Sequence, residues 1–312
     1  MSSEKISVVF PGQGSQYAGM LKDYFYTEPS FTKTFVLASE IIGIDLLQLV
    51  KRGTEKKIAA TEITQPLMLV SDVALWNLIS DKIDKPMCLA GHSLGEYAAL
   101  VASGVISFED SLNLVKIRSK LMQEAVPQGK GGIAAVIGLN ERSITSICKI
   151  ISVDPKFSVN PANLNTSTQI VISGTKLGVD AALKVCRESG AKRTIILPMS
   201  IPSHCPLMTD ASIKFQASLR KINFHTPKIP ILHNVDYSSE IDTNKIKDKL
   251  VQQFYNPVRW EDTVNAISTL GVKKIYECGP GKVLSGLIKR ISKAFITIDL
   301  DNYNNYKEII ND

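Results

Sequence analysis

The sequence has few of the features that build disulfide frameworks, metal sites or nucleic-acid surfaces. Its five cysteines are odd in number and scattered, without a C-x-x-C pair, which excludes a disulfide scaffold and a thiolate metal site. The net charge is only +6, with no dense block of lysine and arginine, so nucleic acid is excluded as a partner. No apolar run approaches the roughly 20 residues of a membrane span. Residues 1–5 lead directly into a strand, without the apolar core of a signal peptide. We therefore expect a reduced, cytoplasmic protein with no metal site and no membrane partner.

The 312 residues are enough for a large hydrophobic core, and the composition, 44% hydrophobic and 21% charged, is that of a globular protein. Strands alternate with helices over most of the chain, which predicts an α/β fold with a mostly parallel sheet. Residues 130–199 instead follow the order β-α-β-β-α-β, which is typical of a ferredoxin-like unit. We expect this unit to be a small subdomain, inserted into a large subdomain of residues 1–129 and 200–312.

The large subdomain is predicted from a series of short elements. Its strands are Ile6–Phe10, Met87–Ala90, Ile229–Val235 and Lys273–Cys278, and its helical stretches are Phe31–Leu49, Thr64–Ile79, Glu96–Ser103 and Phe108–Val126. In the small subdomain the strands are Ile133–Gly138, Phe157–Asn160, Gln169–Ser173 and Arg193–Leu197, and the helices are Arg142–Ile151 and Lys176–Glu188. The last dozen residues are polar and give no prediction.

The most informative stretch runs from Gly91 through Ser93 to Gly95. A short apolar strand precedes it and a helix follows it, which is the context that the nucleophile-elbow pattern G-x-S-x-G requires. So sharp a turn leaves no room for side chains on either flank of the serine. The turn also aims the backbone N–H of Leu94 at the space beside the hydroxyl, where an oxyanion can form. Ser93 is therefore the candidate nucleophile.

A serine nucleophile needs a base, and the sequence contains four histidines. His92 is adjacent to Ser93 and should point away from its hydroxyl, His225 lies in a polar loop, and His233 is predicted within a strand. His204 lies in an irregular segment after a strand, where open α/β sheets carry site residues. A solvated loop histidine is an equal alternative for it, and no acidic residue is placed to complete a triad.

Arg118 interrupts the apolar face of its helix. Leu114 and Val115 lie one turn before it, and Leu121 and Met122 lie one turn after it. A buried guanidinium requires a partner, preferably a carboxylate or a phosphate. The favoured partner is an Asp or Glu of the same chain, and the alternative is a carboxylate that arrives with the substrate.

The first strand ends in a glycine-rich loop around Gln13. The third glycine of a dinucleotide-binding loop is replaced by Tyr17, and G-K-[ST] is absent, so a phosphate loop is excluded. Close approach of the loop backbone to a ligand, with the Gln13 side chain available, and a simple tight turn are equally good interpretations.

Five segments together resemble the malonyl-CoA:acyl-carrier-protein transacylase family, in the same order and over essentially the whole chain. They are Phe10-Pro11-Gly12-Gln13-Gly14-Ser15-Gln16, Gly91-His92-Ser93-Leu94-Gly95-Glu96-Tyr97, Pro202-Ser203-His204-Cys205, Gln253-Phe254-Tyr255-Asn256-Pro257-Val258 and Gly279-Pro280-Gly281-Lys282-Val283-Leu284. Arg118 has the family's position in the helix after the elbow.

The resemblance implies an α/β-hydrolase-like large subdomain with the ferredoxin-like insertion. It implies a catalytic dyad of Ser93 and His204, with the main-chain carbonyl of Gln253 orienting the histidine. The N–H groups of Gln13 and Leu94 would form the oxyanion hole, and the Arg118 side chain would bind the malonyl carboxylate. The implied activity is ping-pong transfer of malonyl from malonyl-CoA, the co-substrate, to the phosphopantetheine thiol of acyl carrier protein in fatty acid biosynthesis. No bound cofactor is implied, the acidic carrier protein is the expected partner, and a monomer is expected.

The sequence departs from the family pattern in two places. His233-Asn234-Val235-Asp236 stands where Asn-Asn-Val-Asp is usual, and Thr166-Ser167-Thr168-Gln169 replaces a common Ser-Pro-Gly-Gln. The second departure leaves fine substrate preference open. Three alternative functions remain: a serine esterase or thioesterase, an acyltransferase of polyketide synthesis, and a non-catalytic module that docks a carrier protein.

Overall fold

The computed structural model describes residues 4–199 and 201–311. The N-terminal residues 1–3, where the sequence predicts no signal peptide, lie outside the described residues, as do residue 200, which begins the second predicted segment of the large subdomain, and residue 312. The strands of the described residues are β1 Ile6–Phe10, β2 Cys88–Gly91, β3 Gly131–Ile137, β4 Val159–Thr166, β5 Gln169–Thr175, β6 Arg193–Ile196, β7 Ile231–Leu232, β8 Lys274–Glu277 and β9 Ile296–Asp299.

The helices follow the same chain order. They are α1 Lys22–Thr27, α2 Pro29–Ile42, α3 Leu46–Arg52, α4 Glu55–Ile58, α5 Thr61–Ile79, α6 Gly95–Ala102, α7 Phe108–Glu124, α8 Glu141–Ile151, α9 Lys176–Glu188, α10 Thr209–Leu219, α11 Thr243–Gln252, α12 Trp260–Thr269, α13 Val283–Ile291 and α14 Tyr303–Asn311. Within residues 4–199 and 201–311, no helix is both long and apolar enough to cross a bilayer.

Two separate sheets confirm the predicted fold class. The first has the order β7-β2-β1-β8-β9, and all of its neighbouring strands are parallel. The second has the order β4-β5-β3-β6, and all of its pairs are antiparallel. That order, with α8 and α9 connecting the strands, is the ferredoxin-like arrangement that the element order predicted.

The parallel sheet is covered on both faces, as sheets of this kind require. Alternate residues of β1 point to opposite layers, because side chains of a strand alternate between its faces. Val8 and Phe10 join the large core with helices such as α5, α6 and α7, whereas Val9 joins a second core with α12 and α13. The strand therefore lies fully buried between two helical layers, and its C-terminal end reaches the elbow.

The antiparallel sheet buries one face against α8 and α9 and turns the other towards the first sheet. The second face carries Ile133, Ala135, Ala162 and Val171, which form a small apolar cluster of their own. The backbone joins this sheet to the rest of the molecule, because the Leu164 N–H donates to the carbonyl oxygen of residue 258 at 2.8 Å. The apolar face consequently forms one wall above the elbow.

Several predicted boundaries are wrong for local reasons. The stretch Phe31–Leu49 is two helices, since Gly43 has a left-handed φ of 69° that ends α2. The helix predicted from Thr64 begins one turn earlier, at Thr61, which places Pro66 in its second turn. A proline is common in the first turn of a helix, but here the turn before it already forms N–H bonds to the Ala60 carbonyl.

Two other segments also differ from their predictions, and a third, for which the sequence gives no prediction, is helical. The strand predicted over residues 229–235 is only two residues long, because the chain turns after Leu232 and the Tyr237 N–H donates to His233 O. Phe157 ends a 3-10 turn, and the strand near it runs over Val159–Thr166 instead. The polar C-terminal segment forms α14, which buries Tyr306.

Candidate active site

Ser93 lies on a strained turn between β2 and α6. Its φ is 51°, in the left-handed region that non-glycine residues rarely adopt. A Cβ atom on Gly91 would lie 1.9 Å from the carbonyl carbon of Gly95, and one on Gly95 would lie 2.0 Å from Phe10 O. The two flanking glycines are therefore sterically required, as the sequence predicted.

Ser93 and His204 form a hydrogen bond across 111 positions of the chain. The Oγ atom of Ser93 lies 2.7 Å from Nε2 of His204, and the Nδ1 atom of His204 lies 2.7 Å from the carbonyl oxygen of Gln253. A carbonyl oxygen only accepts, so Nδ1 carries the proton and Nε2 presents its lone pair to the hydroxyl. The imidazole is thus oriented by a backbone carbonyl in the place where a triad has a carboxylate.

His204 is 2% exposed and remains neutral at physiological pH. Its pKa is lowered from the ordinary 6.5 to about 3, chiefly by burial and also by the positive charge of Arg118, against the opposing effect of the bond to Gln253 O. The other histidines do not reach the serine hydroxyl. His92 Nε2 bonds Asn165 Oδ1 at 2.9 Å, which agrees with its predicted orientation away from Ser93.

Two backbone N–H groups near the elbow, those of Gln13 and Leu94, belong to residues that line the same cavity. Neither the Gln13 N–H nor the Leu94 N–H has a hydrogen-bond acceptor in the described part of the chain. Their loops are close together, because a Cβ atom on Gly12 would lie 2.3 Å from His92 O and 3.5 Å from Leu94 N. The side chain of Gln13 donates to Thr61 Oγ1 at 3.1 Å, so this residue offers its backbone rather than its amide group.

Arg118 is buried, at 1% exposure, and approaches the same hydroxyl. Its Nη2 atom donates to Ser93 Oγ at 3.2 Å and to Gln253 Oε1 at 3.0 Å, and its Nη1 atom donates to Gln65 Oε1 at 2.7 Å. Among the residues that the structure describes, no carboxylate lies within 4.0 Å of its nitrogens. The favoured expectation of an internal Asp or Glu in direct contact is therefore wrong.

Sequence reasoning missed the residues that hold these groups in place. Asn234 Oδ1 accepts the Ser93 N–H at 2.7 Å, and Asn234 Nδ2 donates to Gly91 O at 2.6 Å, so one side chain fixes both ends of the elbow. Gln65 lies within a predicted helix without a signal of its own, and the family resemblance implies a role only for the main-chain carbonyl of Gln253. The one available signal was Asn234 itself, an amide directly after an apolar strand.

A cavity of about 170 Å³ opens above these groups. Ser93, His204 and Arg118 line its floor, and Ile133 and Val171 of the antiparallel sheet line its roof. A neutral base, a hydroxyl, two free N–H donors and a cation in so small a space suit transfer of a short acyl group that ends in a carboxylate.

Comparison with known proteins agrees with this chemistry. The family model described as the acyl transferase domain matches residues 8–288. The malonyl CoA-acyl carrier protein transacylase of Salmonella typhimurium is 46% identical over 288 residues, which are 92% of this chain and 93% of that protein. The protein of the same name from Haemophilus influenzae is 42% identical over 312 residues, 98% of this chain and 99% of its own.

Solved structures are similarly close. The malonyl CoA-acyl carrier protein transacylase from Coxiella burnetii superposes with a TM-score of 0.96 at 42% identity, and the match covers 99% of this chain and 98% of that one. A second structure, of a type II PKS acyl-carrier protein in complex with its malonyl-transacylase, gives the same TM-score and identity over 99% of both chains.

Proposed function

This chain belongs to the acyl transferase family, and within it to the malonyl CoA-acyl carrier protein transacylases, and from that premise we propose how its residues carry out the reaction. The enzyme moves malonyl from malonyl-CoA to the phosphopantetheine thiol of acyl carrier protein, through an ester on Ser93, for fatty acid biosynthesis. The proposal rests mainly on the surroundings of the Ser93 hydroxyl: its Oγ atom lies 2.7 Å from His204 Nε2 and 3.2 Å from Arg118 Nη2.

In the first half-reaction, His204 Nε2 takes the hydroxyl proton while Ser93 Oγ forms a bond to the thioester carbon. The carbonyl oxygen becomes an oxyanion, which the N–H groups of Gln13 and Leu94 stabilise by about 3–4 kcal/mol for each donor. The intermediate then expels sulfur as the C–S bond breaks. His204 returns its proton to the CoA thiolate, which leaves as a thiol.

The second half-reaction runs through the same groups in reverse. His204 deprotonates the phosphopantetheine thiol, and the thiolate attacks the ester carbon of malonyl-Ser93. The same N–H groups hold the oxyanion again. When the C–O bond breaks, His204 protonates Ser93 Oγ and the free enzyme is restored.

The carbonyl of Gln253 is sufficient to orient the base, because thiols are good nucleophiles and thiolates are good leaving groups. An acidic triad member would stabilise an imidazolium ion and assist a difficult leaving group, and a thioester requires less assistance. The pKa of His204 near 3 therefore fits a base that passes a proton briefly between oxygen and sulfur.

Arg118 gives the selectivity. Its Nη2 atom is directed at the nucleophile, and its direct partners are neutral amide oxygens and a hydroxyl, so its charge is available to a substrate carboxylate. An acetyl group would leave this buried cation without that partner. Sites built on a polar contact reject analogues that lack it by about 10⁴-fold.

A discharge assay tests the transferase function against the hydrolase alternative. Enzyme loaded with malonyl-CoA is freed of excess substrate and then mixed with buffer or with holo acyl carrier protein. We expect the malonyl group to persist in buffer and to move to the carrier within seconds. Rapid release of free malonate in buffer would instead identify a thioesterase, and no loading at all would leave only the docking module.

A polyketide carrier is the second candidate acceptor, and one comparison favours it: the similar malonyl-transacylase solved with a type II PKS acyl-carrier protein. The chemistry on Ser93 is identical for both acceptors, so the discrimination depends on the carrier alone. Transfer rates to a fatty-acid carrier and to a polyketide carrier, measured with the same malonyl-enzyme, separate the two functions.

Residues 130–199 act as the small subdomain that forms the roof of the site, and residues 1–129 and 200–312 form its floor. One chain suffices as a monomer, since Ser93, His204, Arg118 and Gln253 all come from it. The free cysteines support a reducing location such as the cytoplasm.

A further inference from the structure

Glu96 is a buried carboxylate three residues after the nucleophile, at 1% exposure. Its Oε1 atom lies 2.6 Å from His233 Nδ1, and its Oε2 atom accepts hydrogen bonds from Gln253 Nε2 at 2.7 Å and from the Asn234 N–H at 3.3 Å. Gln253 Nε2 and the Asn234 N–H only donate, and His233 Nδ1 donates too when it carries the ring proton, the tautomer favoured because Nε2 has no acceptor among the described residues. A carboxylate that only accepts is in its ionised form, so the carboxylate of Glu96 carries a negative charge in the core.

His233 does not neutralise this charge. The ring is fully buried, and its Nε2 atom has no hydrogen-bond partner among the described residues. A second proton on Nε2 would therefore have no acceptor in the core, whereas the single proton on Nδ1 is donated to Glu96. His233 is thus a neutral donor that fixes the carboxylate.

The Gln253 side chain lies between this carboxylate and Arg118. Its Oε1 atom accepts from Arg118 Nη2 at 3.0 Å, and its Nε2 atom donates to Glu96 Oε2 at 2.7 Å. The amide dipole is therefore aligned between a cation at one end and an anion at the other. The aromatic rings of Tyr97 and Phe254, each 5.5 Å from the Arg118 Cζ atom, further stabilise the cation.

We propose that Glu96 is the counter-ion of Arg118, held one amide group away by Gln253 and fixed by His233, and that it sets the strength of carboxylate binding. This inference rests on the proposed function of Arg118. A carboxylate in direct contact would occupy the guanidinium and exclude the substrate. Without any negative charge nearby, the cost of burying the cation would be unrelieved and malonyl would be held too firmly. Glu96 is a positioning residue that acts through Gln253, and it does not contact the acyl group.

Removing the charge of Glu96 should change the affinity for malonyl-CoA in a definite direction. The Glu96→Gln substitution removes the charge and keeps an acceptor for Gln253 Nε2, while its new amide nitrogen faces His233 Nδ1, which accepts once the ring proton moves to Nε2. The substrate carboxylate then becomes the sole anion near Arg118, so malonyl-CoA should bind more tightly. Acetyl-CoA has no carboxylate on its acyl group and should bind as before. A merely structural defect would weaken the binding of malonyl-CoA and of acetyl-CoA together.

The experiment measures dissociation constants by titration calorimetry in a Ser93→Ala background, where no acyl transfer occurs. Adding Glu96→Gln should lower the Kd of malonyl-CoA by about threefold or more. The substitution removes a negative charge that, inside the protein, repels the malonyl carboxylate bound at Arg118. The Kd of acetyl-CoA should change by less than about twofold, since it lacks the interacting charge. Unchanged malonyl affinity, or equal weakening of both ligands, overturns the proposal.

Two further variants keep the test decisive. Glu96→Asp retains the charge, so its malonyl preference should resemble that of the Ser93→Ala background rather than that of Glu96→Gln. If Glu96→Gln fails to fold, Gln65→Glu places a carboxylate directly against Arg118 Nη1, on the side of the guanidinium away from Gln253 and Glu96. This variant should raise the Kd of malonyl-CoA by about tenfold or more and change the Kd of acetyl-CoA little. An intact malonyl preference in that variant overturns the proposal.

The same titrations separate this inference from the function on which it rests. If the Ser93→Ala protein shows no preference for malonyl-CoA over acetyl-CoA, the assignment of Arg118 as the carboxylate-binding residue fails. If that preference is present but does not respond to the charge at position 96, only the role of Glu96 as counter-ion is overturned.

Discussion

Arg118 Nη2 lies 3.2 Å from Ser93 Oγ, so a buried cation is within hydrogen-bond distance of the proposed nucleophile. A guanidinium in this position disfavours protonation of His204, and under the proposed function it also binds the substrate carboxylate. One residue therefore affects both the base and the substrate.

Arg118→Ala should reduce the rate of Ser93 malonylation by about 100-fold or more, because the malonyl carboxylate loses a buried charged partner. Acetyl loading should fall less or rise, so the malonyl-to-acetyl ratio should drop. Rapid-quench measurements with both CoA esters give the ratio directly. Lys120→Ala, two residues along the same helix, removes an exposed cation and is the matched control. Normal malonyl loading in Arg118→Ala would disprove the role of this residue.

His204→Ala should lower the rate of malonyl transfer by about 10²–10⁴-fold, the usual contribution of a general base. The dissociation constant for malonyl-CoA should change far less, since His204 acts on the proton of Ser93. His225→Ala removes an exposed histidine and serves as the control. If both variants lost the same activity, or neither did, His204 would not be the base.

The pH dependence of loading should lack the step near 6.5 that an ordinary histidine gives. Burial and the charge of Arg118 hold the pKa of His204 at about 3, so the base stays neutral as the pH falls from 8 to about 5. At low malonyl-CoA concentration the loading rate, which reports the free enzyme, should therefore be nearly constant over that range. A half-maximal rate near pH 6.5 would contradict the burial of this histidine.

At saturating malonyl-CoA, the fall of the loading rate at acidic pH should begin at a higher pH than it does at low substrate concentration. The substrate carboxylate neutralises part of the Arg118 charge that lowers the pKa of His204, so that pKa rises in the complex. Acetyl-CoA should not produce this shift. The comparison needs only loading rates for the two esters across the same pH series.

Two glycine substitutions should change stability in opposite directions. Gly91→Ala places a Cβ atom 1.9 Å from the Gly95 backbone, so it should cost about 3 kcal/mol or more of unfolding free energy and abolish loading. Gly286→Ala lies in α13 with nothing within 4 Å of the new Cβ, and it should stabilise by about 0.5–1 kcal/mol. Urea unfolding of both variants tests the steric explanation of the elbow. A tolerated Gly91→Ala would contradict it.

Much of the fold was predictable because its signals are local. β1 and α9 have the predicted bounds, and α7 begins at the predicted Phe108, where Ser107 caps it by accepting the Asp110 N–H. The elbow was predictable for the same reason, since a strand, two glycines and a helix lie within about twenty residues. β9 was not predicted, because this strand has only four residues and lies partly exposed at the edge of the sheet.

The partners of the site residues were not predictable, because they lie far away in the sequence. Arg118 was correctly placed on a buried face, but its amide partners Gln65 and Gln253 are 53 and 135 positions away. A periodic pattern shows that a charge is buried and does not show what lies opposite. The same limit applies to Asn234, whose bond to the Ser93 N–H spans 141 positions.

The most direct test of the account is the intact mass of the protein after a brief mix with malonyl-CoA and, separately, with acetyl-CoA. The account predicts a malonyl-sized adduct that maps to Ser93, that is absent in Ser93→Ala, and that forms far faster than the acetyl adduct. Equal loading by both esters would contradict selection by Arg118. An adduct that persists in Ser93→Ala would contradict the nucleophile itself.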